Sequence, residues 1–202
     1  MTRLLIVIIG SMALCGCVLS SPQIQHLQLS AGDAPAGDRD TPVIIMDAVK
    51  IPYFLQRNGL LRRVGDYTVR YDRIQRWAEP LDLGIQRVLA RRLESELGTR
   101  QVIRFPDVPR HRDSEWRLSV SVQHFETRGD QAQFVAEARL ERTPVAENIT
   151  EDTTRETVIE FEQSATLDGD SGEEIAIAMS KLLWDFAAVI ASSLTDQTNQ
   201  GL

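Results

Sequence analysis

The chain has 202 residues, of which 43% are hydrophobic and 25% charged, and this is enough for one domain with a buried core. Its formal net charge of -7 argues against a nucleic-acid partner, because no basic surplus is present to displace counterions. The two cysteines, Cys15 and Cys17, both lie near the N-terminus, so the rest of the chain uses neither a disulfide nor a thiolate metal site.

Residues 1–16 have the features of a lipoprotein signal peptide. Arg3 supplies a positive charge, and the apolar run from Leu4 to Leu14 is too short to span a bilayer, which takes about 20 residues. The Leu14-Cys15-Gly16-Cys17 sequence resembles a bacterial lipobox, with Cys17 as the lipidated residue. The alternatives are a plain secretory signal and a short membrane anchor. By resemblance to enterobacterial sorting rules, Val18 in place of aspartate favours the outer membrane.

Residues 17–41 are expected to form a lipidated N-terminus, a short spacer and a loop. Within this segment, Gln25 to Leu29 alternates weakly and is predicted as a strand, whereas Ala31 to Thr41 is rich in glycine, proline and aspartate and predicts a loop. Val43 to Val49 predicts a second strand, and its continuous apolar run fits an interior position in a sheet.

A hairpin followed directly by a helix is predicted next. Asn58-Gly59 indicates a turn, because both residue types tolerate positive φ. The segments Leu60 to Val64 and Tyr67 to Ile74 flank Gly65-Asp66 and read as two antiparallel strands. In the second of them, Tyr67, Val69 and Tyr71 are expected to share one face.

The first helix is predicted to begin at Pro80, whose fixed φ suits a first helical residue, and to end at Gly98. Between them, apolar residues recur at helical spacing. These residues are Leu81, Ile85, Val88, Leu89, Leu93 and Leu97.

Four further strands are predicted beyond this helix. The first, Gln101 to Phe105, is short, and the next is the clearest alternating pattern in the chain, from Trp116 to Gln123. Arg128-Gly129-Asp130 indicates a turn into a strand from Ala132 to Glu141. The last strand contains Thr157, Ile159 and Phe161 and has one buried and one exposed face, as antiparallel strands do.

The last predicted element is a long helix. Ser171 and Glu174 have the spacing of a capping box at its start. Its expected buried stripe comprises Ile175, Met179, Leu182, Phe186, Val189 and Ile190, widened by Ile177 and Trp184. Residues 196–202 are polar and are expected to form a flexible tail.

These elements predict an α+β domain over residues 42–195. An antiparallel or mixed sheet of about six or seven strands carries two long helices, which pack on one face.

For each residue group that resembles a catalytic or metal-binding pattern, the ordinary structural interpretation is favoured. His26, His111 and His124 stand far apart and lack a second ligand at metal spacing. Asp168 to Gly172 resembles a calcium loop only in part, because Met179 occupies the position of the bidentate glutamate. Glu156, Glu160 and Glu162 are expected on the solvent-facing side of a strand. The chain is therefore predicted to be non-enzymatic and to use no cofactor and no metal.

Two segments carry a resemblance to a known family. Pro-Tyr-Phe-Leu-Gln-Arg-Asn-Gly-Leu at residues 52–60 and Arg-Trp-Ala-Glu-Pro-Leu at residues 76–81 resemble the ABC-type transport auxiliary lipoproteins of the PqiC (YmbA) family. The resemblance covers about Val43 to Ser193. It implies a lipoprotein of the outer membrane that faces the periplasm and contributes to envelope integrity.

The resemblance also implies partners. It suggests a ring-shaped homo-oligomer that works with a mammalian-cell-entry (MCE) domain protein similar to PqiB, in a system that moves lipids between membranes. The alternative function is a stand-alone periplasmic lipid- or glycan-binding lipoprotein.

Partner contacts are predicted in the first of these motifs. Tyr53, Phe54 and Leu55 follow Pro52 in what reads as a loop, so they are either buried or part of a contact patch together with Arg57 and Asn58. Trp77, at the junction of hairpin and helix, has the same two interpretations, and core packing is favoured for it.

Overall fold

The computed structural model describes residues 22–35, 37–40, 42–107, 116–142 and 156–200, so that Cys17 and the signal segment lie outside the described residues. The strands are β1 (Gln25–Leu27), β2 (Ile44–Met46), β3 (Gly59–Gly65), β4 (Thr68–Trp77), β5 (Val102–Arg104), β6 (Trp116–Arg128), β7 (Gln131–Arg142) and β8 (Glu156–Thr166). The helices are α1 (Leu81–Leu97) and α2 (Gly172–Gln200), and a 3₁₀ turn covers Tyr53–Leu55.

The eight strands form one mixed sheet that is organised around β6. On one side of β6, β7 and β8 continue the sheet with antiparallel pairing. On its other side, β2 pairs in parallel with the beginning of β6, and β3 pairs in parallel with its end. Strands β2 and β3 therefore lie one after the other along the same side of β6. Strand β5 lies beyond β2, while β4 and then β1 lie beyond β3. The 3₁₀ turn lies on the segment of chain that connects β2 to β3.

The core lies between the sheet and the two helices, which pack against each other. Its largest aromatic contacts centre on Phe134 of β7. The ring of Phe134 lies 5.3 Å from that of Phe125 and 5.4 Å from that of Phe186, in edge-to-face geometry that favours aromatic pairs. Phe161 of β8 completes the cluster, 4.9 Å from Phe186. Helix α2 is thereby held against β7 and β8.

The predicted α+β class with two helices on the sheet is confirmed, and the sheet has eight strands rather than six or seven. The difference comes from the short strands. Each of β1, β2 and β5 has three residues, and each makes parallel pairs with strands distant in the chain. A strand was predicted at each of these three places, but the local pattern did not show that all of them join one sheet, because their partners are distant in the chain.

Both helices begin and end close to the predicted residues. The first begins at Leu81, one residue after Pro80, and ends at Leu97, where Gly98 with a φ of 62° caps it. At the start of α2, the backbone N–H of Ser171 donates to Glu174 at 3.1 Å, and the Glu174 N–H donates to the Ser171 hydroxyl at 3.3 Å. These are the two reciprocal bonds of a capping box.

The predicted buried stripe of α2 is correct except at two positions. Ile177 is 47% exposed and Val189 is 40% exposed, so neither belongs to the core. They fall on the sides of the helix that the sheet and α1 leave uncovered. The helix also runs to Gln200, through most of the segment that was expected to form a tail.

Helix α2 is long and apolar enough, over Gly172–Thr198, to pass a test for a membrane span, with a mean hydropathy of 1.6. Within the fold, however, 61% of its most apolar 18-residue window is buried. Burial of this extent is expected of the central helix of a globular core.

The β3–β4 hairpin has the predicted strands but differs at two points. Neither Asn58 nor Gly59 has a positive φ, so these residues do not form the expected turn. Gly59 instead allows close packing, because a Cβ there would lie 2.8 Å from the carbonyl oxygen of Asp72. Tyr67 lies in the turn between the strands and is fully exposed, whereas Val69 and Tyr71 pack against the core.

Every described strand and helix lies between Gln25 and Gln200, and the core is built from these elements. The division of the chain at residues 41 and 195 stays a prediction. Strand β1, inside the expected spacer, is an integral part of the sheet through its pairing with β4. We therefore expect the chain from Pro22 onward to fold without the segment that precedes it.

Candidate functional site

The two motif segments meet at the base of the β3–β4 hairpin. The backbone N–H of Trp77 donates to the carbonyl of Asn58 at 2.7 Å, and Gly59 pairs with Arg76. The hydroxyl of Tyr71 donates to the carbonyl of Phe54 at 3.0 Å and fixes the 3₁₀ turn against β4. The motifs are thus two sides of one structural junction.

Two of the predicted contact residues lie in the core. Leu55 is 2% exposed and Trp77 is 6% exposed, so neither offers a surface to a partner. A 3₁₀ turn has about three residues in each turn, so consecutive side chains point in well-separated directions, and here Leu55 is directed inward. Trp77 is the last residue of β4, four residues before α1 begins, and its side chain belongs to the core cluster. The buried alternative is therefore correct for both residues.

The other predicted contact residues stay at the surface. Tyr53 is 80% exposed, Phe54 is half-buried, and Arg57 and Asn58 are exposed. The guanidinium of Arg57 lies 4.9 Å from the centre of the Tyr71 ring, in cation–π geometry. These four residues, Tyr53, Phe54, Arg57 and Asn58, are called the Tyr53 patch below. An exposed aromatic side chain beside an arginine is typical of protein contact sites.

An ion pair between Glu79 and Arg87 connects this junction to the N-terminal part of the chain. Arg87 of α1 donates from Nε to Glu79 at 3.2 Å and from its terminal nitrogen to the carbonyl of Leu29 at 2.8 Å. The second motif therefore positions the start of α1 and the segment after β1 together.

A groove of about 500 Å³ lies between β1 and α2. Its floor and walls combine apolar and polar side chains. They are Gln25, His26, Leu27, Gln28, Ser30, Glu173, Ala176, Ile177, Ser180 and Trp184. The Trp184 indole donates to the carbonyl of Ser30 at 2.7 Å, and the Ser30 N–H donates to the Ser180 hydroxyl at 3.0 Å. These two bonds hold the chain across α2 and close one end of the groove.

Sequence reasoning did not identify this groove. The available signal was the surplus of apolar residues on α2, where Ile177 and Trp184 extend beyond a single buried stripe. This pattern predicts a wider core contact, because it does not reveal that β1 lies beside these residues.

The polar face of the sheet, opposite the helices, contains one buried carboxylate. Glu126 of β6 is fully buried and pairs with Arg63 of β3, while Nδ1 of His124 lies 3.3 Å from the same carboxylate. This cluster connects β3 to the end of β6. Among the described residues, no group of three or more histidines, cysteines and carboxylates is placed to hold a metal ion.

A second carboxylate cluster connects β2 to β6. Arg117 donates to Asp47 at 2.9 and 3.0 Å and the Ser119 hydroxyl donates to it at 2.7 Å. Partial burial opposes ionisation of Asp47, but the hydrogen bonds from Arg117 and Ser119 outweigh it and lower the pKa of this carboxyl below its usual value. The role of Asp47 is therefore structural.

Other residues considered as candidates have ordinary environments. Glu156, Glu160 and Glu162 of β8 are exposed to solvent. In the Asp168 to Gly172 segment, the nearby carboxylate of Glu174 is engaged by Ser171 at the helix cap. His26 is exposed on β1, and His111 lies outside the described residues.

Two solved structures share this fold. One is the crystal structure of an uncharacterized protein, with a TM-score of 0.67, 19% identity, and coverage of 85% of this chain and 99% of the other. The second is protein XCC0632 from Xanthomonas campestris, with a TM-score of 0.64, 14% identity, and coverage of 90% and 97%. At these identities the likeness shows the fold alone. No curated protein matches the chain.

The family of ABC-type transport auxiliary lipoprotein components matches residues 26–191, which is most of the chain. The chain therefore belongs to this family, as the two motif segments predicted. Membership makes it a cell-envelope protein that assists a transport system.

Proposed function

We propose that this protein is a lipid-anchored, non-enzymatic component of an MCE-type system similar to Pqi, which transports lipids between membranes and supports envelope integrity. Its location is the periplasmic face of the outer membrane. The observation that carries the proposal is the family match over residues 26–191, together with the two motif segments.

Geometry supports a contact role better than catalysis. The described residues contain no metal cluster, and the carboxylates of Asp47, Glu126 and Glu174 serve ion pairs and a helix cap. The Tyr53 patch, in contrast, places an exposed aromatic ring beside an arginine on a turn fixed by the Tyr71 hydroxyl. A rigid turn loses little conformational entropy when a partner binds.

The proposal includes a ring-shaped homo-oligomer, because one domain of this size encloses no conduit. A closed ring requires a heterologous interface, in which each subunit contributes two different surfaces. The Tyr53 patch is the candidate for one of these surfaces or for the contact with the MCE-domain protein.

The test is a native pull-down of the full-length lipoprotein from envelope membranes in mild detergent, with proteins and lipids both identified by mass spectrometry. We expect an MCE-domain protein to be enriched in stoichiometric amounts. A preparation that contains the lipoprotein alone, with or without a bound small molecule, would contradict the transport assignment.

A second function, a stand-alone lipid or glycan carrier, is favoured by the groove between β1 and α2. Its volume of about 500 Å³ and its mixed lining suit an acyl chain or a sugar. Substitution of Ile177 and Trp184 with alanine separates the two functions. A carrier loses its co-purified ligand in this variant, whereas the transport component keeps its MCE-domain partner.

The proposed anchor has its own test. Intact-mass analysis of the mature protein is expected to show a triacylated N-terminus at Cys17, and Cys17→Ala is expected to leave a precursor or a soluble form, because the acyl chains supply the membrane affinity. An unmodified N-terminus at any other residue would contradict the lipoprotein claim for this chain.

A further inference from the structure

Positive charge is concentrated on the β3–β4 hairpin. Residues 57–77 contain six arginines and two aspartates, a net charge of +4 in a chain whose formal net charge is -7. The remainder of the chain is therefore strongly acidic. This separation gives one edge of the sheet a sign opposite to that of the molecule as a whole.

Four of these arginines are exposed, and the described part of the chain provides none of them with an ion pair. One is Arg57, which lies over the Tyr71 ring, and the other three are on β4. Arg70, Arg73 and Arg76 all lie on β4, where Nε of Arg76 donates to the carbonyl of Arg73 at 3.2 Å. Arg62 and Arg63 of β3 differ, because Arg62 pairs with Asp170 and Arg63 with Glu126. The paired arginines stabilise the fold, and the three on β4 leave their charge available to an external anion.

The tip of the same hairpin exposes two large hydrophobic side chains beside Asp66, whose carboxylate pairs with Arg128. Tyr67 is fully exposed in the turn, and Val64 beside it is 53% exposed. Tyrosine is enriched where proteins meet the headgroup region of membranes, because its ring is apolar and its hydroxyl is polar. Arginines behind an exposed tyrosine therefore provide both an electrostatic and an interfacial contact.

The chain enters the fold at this edge. Strand β1 pairs with the end of β4, so that Gln25 lies opposite Gln75 and His26 opposite Arg76. Cys17 is eight residues before Gln25, a reach of at most about 28 Å for an extended chain. This step rests on the proposed lipid anchor, and it places the arginines of β4 within a short tether of the bilayer.

We propose that Arg70, Arg73 and Arg76, together with Tyr67 at the hairpin tip, form a docking surface for an anionic phospholipid bilayer. The acyl chains proposed at Cys17 hold the chain at the bilayer, and a basic surface beside the anchor adds an electrostatic contact with anionic headgroups that orients the domain. Docking through β4 orients the domain with the hairpin toward the lipid, and the β7–β8 side of the sheet, with its exposed glutamates, away from it.

The experiment uses the unanchored domain from Pro22 to Leu202 and sedimentation with two kinds of vesicle. One is an equal mixture of phosphatidylglycerol and phosphatidylcholine, and the other is pure phosphatidylcholine. We expect binding to the anionic vesicles only, with loss of binding in about 1 M sodium chloride, where the Debye length falls to about 3 Å.

The test variant replaces Arg70, Arg73 and Arg76 with glutamine. Its affinity for the anionic vesicles should fall by about 100-fold, since each arginine near such a surface is worth about a fivefold change. The matched control replaces Arg91, Arg117 and Arg139, on α1, β6 and β7, with glutamine and changes the net charge equally. Its binding should be close to that of the wild type.

Tyr67→Ser is a second variant whose side chain makes no core contact, and it should weaken binding by about threefold to tenfold. Circular dichroism confirms that each variant is folded.

Equal binding of both vesicle types, equal loss in the control, or no binding at all would overturn the proposal. The last result means that the arginines only protect an exposed strand edge. The proposed anchor at Cys17 is unaffected by any of these outcomes, because this domain lacks it.

Discussion

The buried and exposed halves of the hairpin junction have opposite environments, although both come from the same short motifs. Trp77 and Leu55 are buried and packed into the core. Tyr53, two residues before Leu55, is 80% exposed, and Arg57, two residues after it, is also at the surface. Residues that are neighbours in sequence therefore have different roles, because some pack in the core and others are exposed at the surface. The motif therefore contains both the buried residues that fix the turn and the exposed residues that the turn holds at the surface.

The largest expected effect is at the buried half. Trp77→Ala should lower the free energy of unfolding by about 3–5 kcal/mol, because it removes a large buried side chain where β4 meets α1. Urea unfolding followed by circular dichroism measures it. A loss below about 1 kcal/mol would mean that Trp77 is not part of the core.

The next effect separates two residues of the 3₁₀ turn. Leu55→Ala should cost about 2–4 kcal/mol, whereas Tyr53→Ala should change stability by less than about 0.5 kcal/mol. Thermal melts of the two variants provide the comparison, with the wild type as reference. Similar losses for both would show that the turn does not divide into a buried and an exposed side.

The strong alternating patterns were sufficient to predict the long elements. Strands β6 and β7 and the capping box of α2 follow from local spacing, because each needs only neighbouring residues to be recognised. The parallel pairs of β1 and β2 could not be predicted, since their partners are distant in the chain and each strand has three residues.

The candidate contact site stays a prediction, and the structure adds which of its residues are exposed. The motif located the 3₁₀ turn, but the inward direction of Leu55 depends on the backbone path between β2 and β3, which periodicity does not determine. The groove beside Trp184 was missed for a related reason, because it exists only where β1 is laid along α2.

A smaller effect concerns acid stability away from this junction. The pKa of Asp47 is lowered in the fold, so its ion pair with Arg117 stabilises the native state above the usual aspartate pKa of 3.8 and is lost as the pH falls through the lower native value. Asp47→Asn should cost about 1 kcal/mol at pH 7. The difference in stability between variant and wild type should shrink below about pH 4. A difference that is independent of pH would contradict this assignment.

The most direct test of the contact claim is site-specific photo-crosslinking in the native host. A photoreactive phenylalanine analogue replaces Tyr53 in the full-length lipoprotein, and the same analogue at Val189, which is 40% exposed on α2, serves as the control. We predict that position 53 forms an adduct with an MCE-domain protein or with a second copy of this chain, identified by mass spectrometry, and that position 189 does not. The absence of any adduct at position 53, or equal adducts at both positions, would contradict the assignment of the Tyr53 patch as the contact surface.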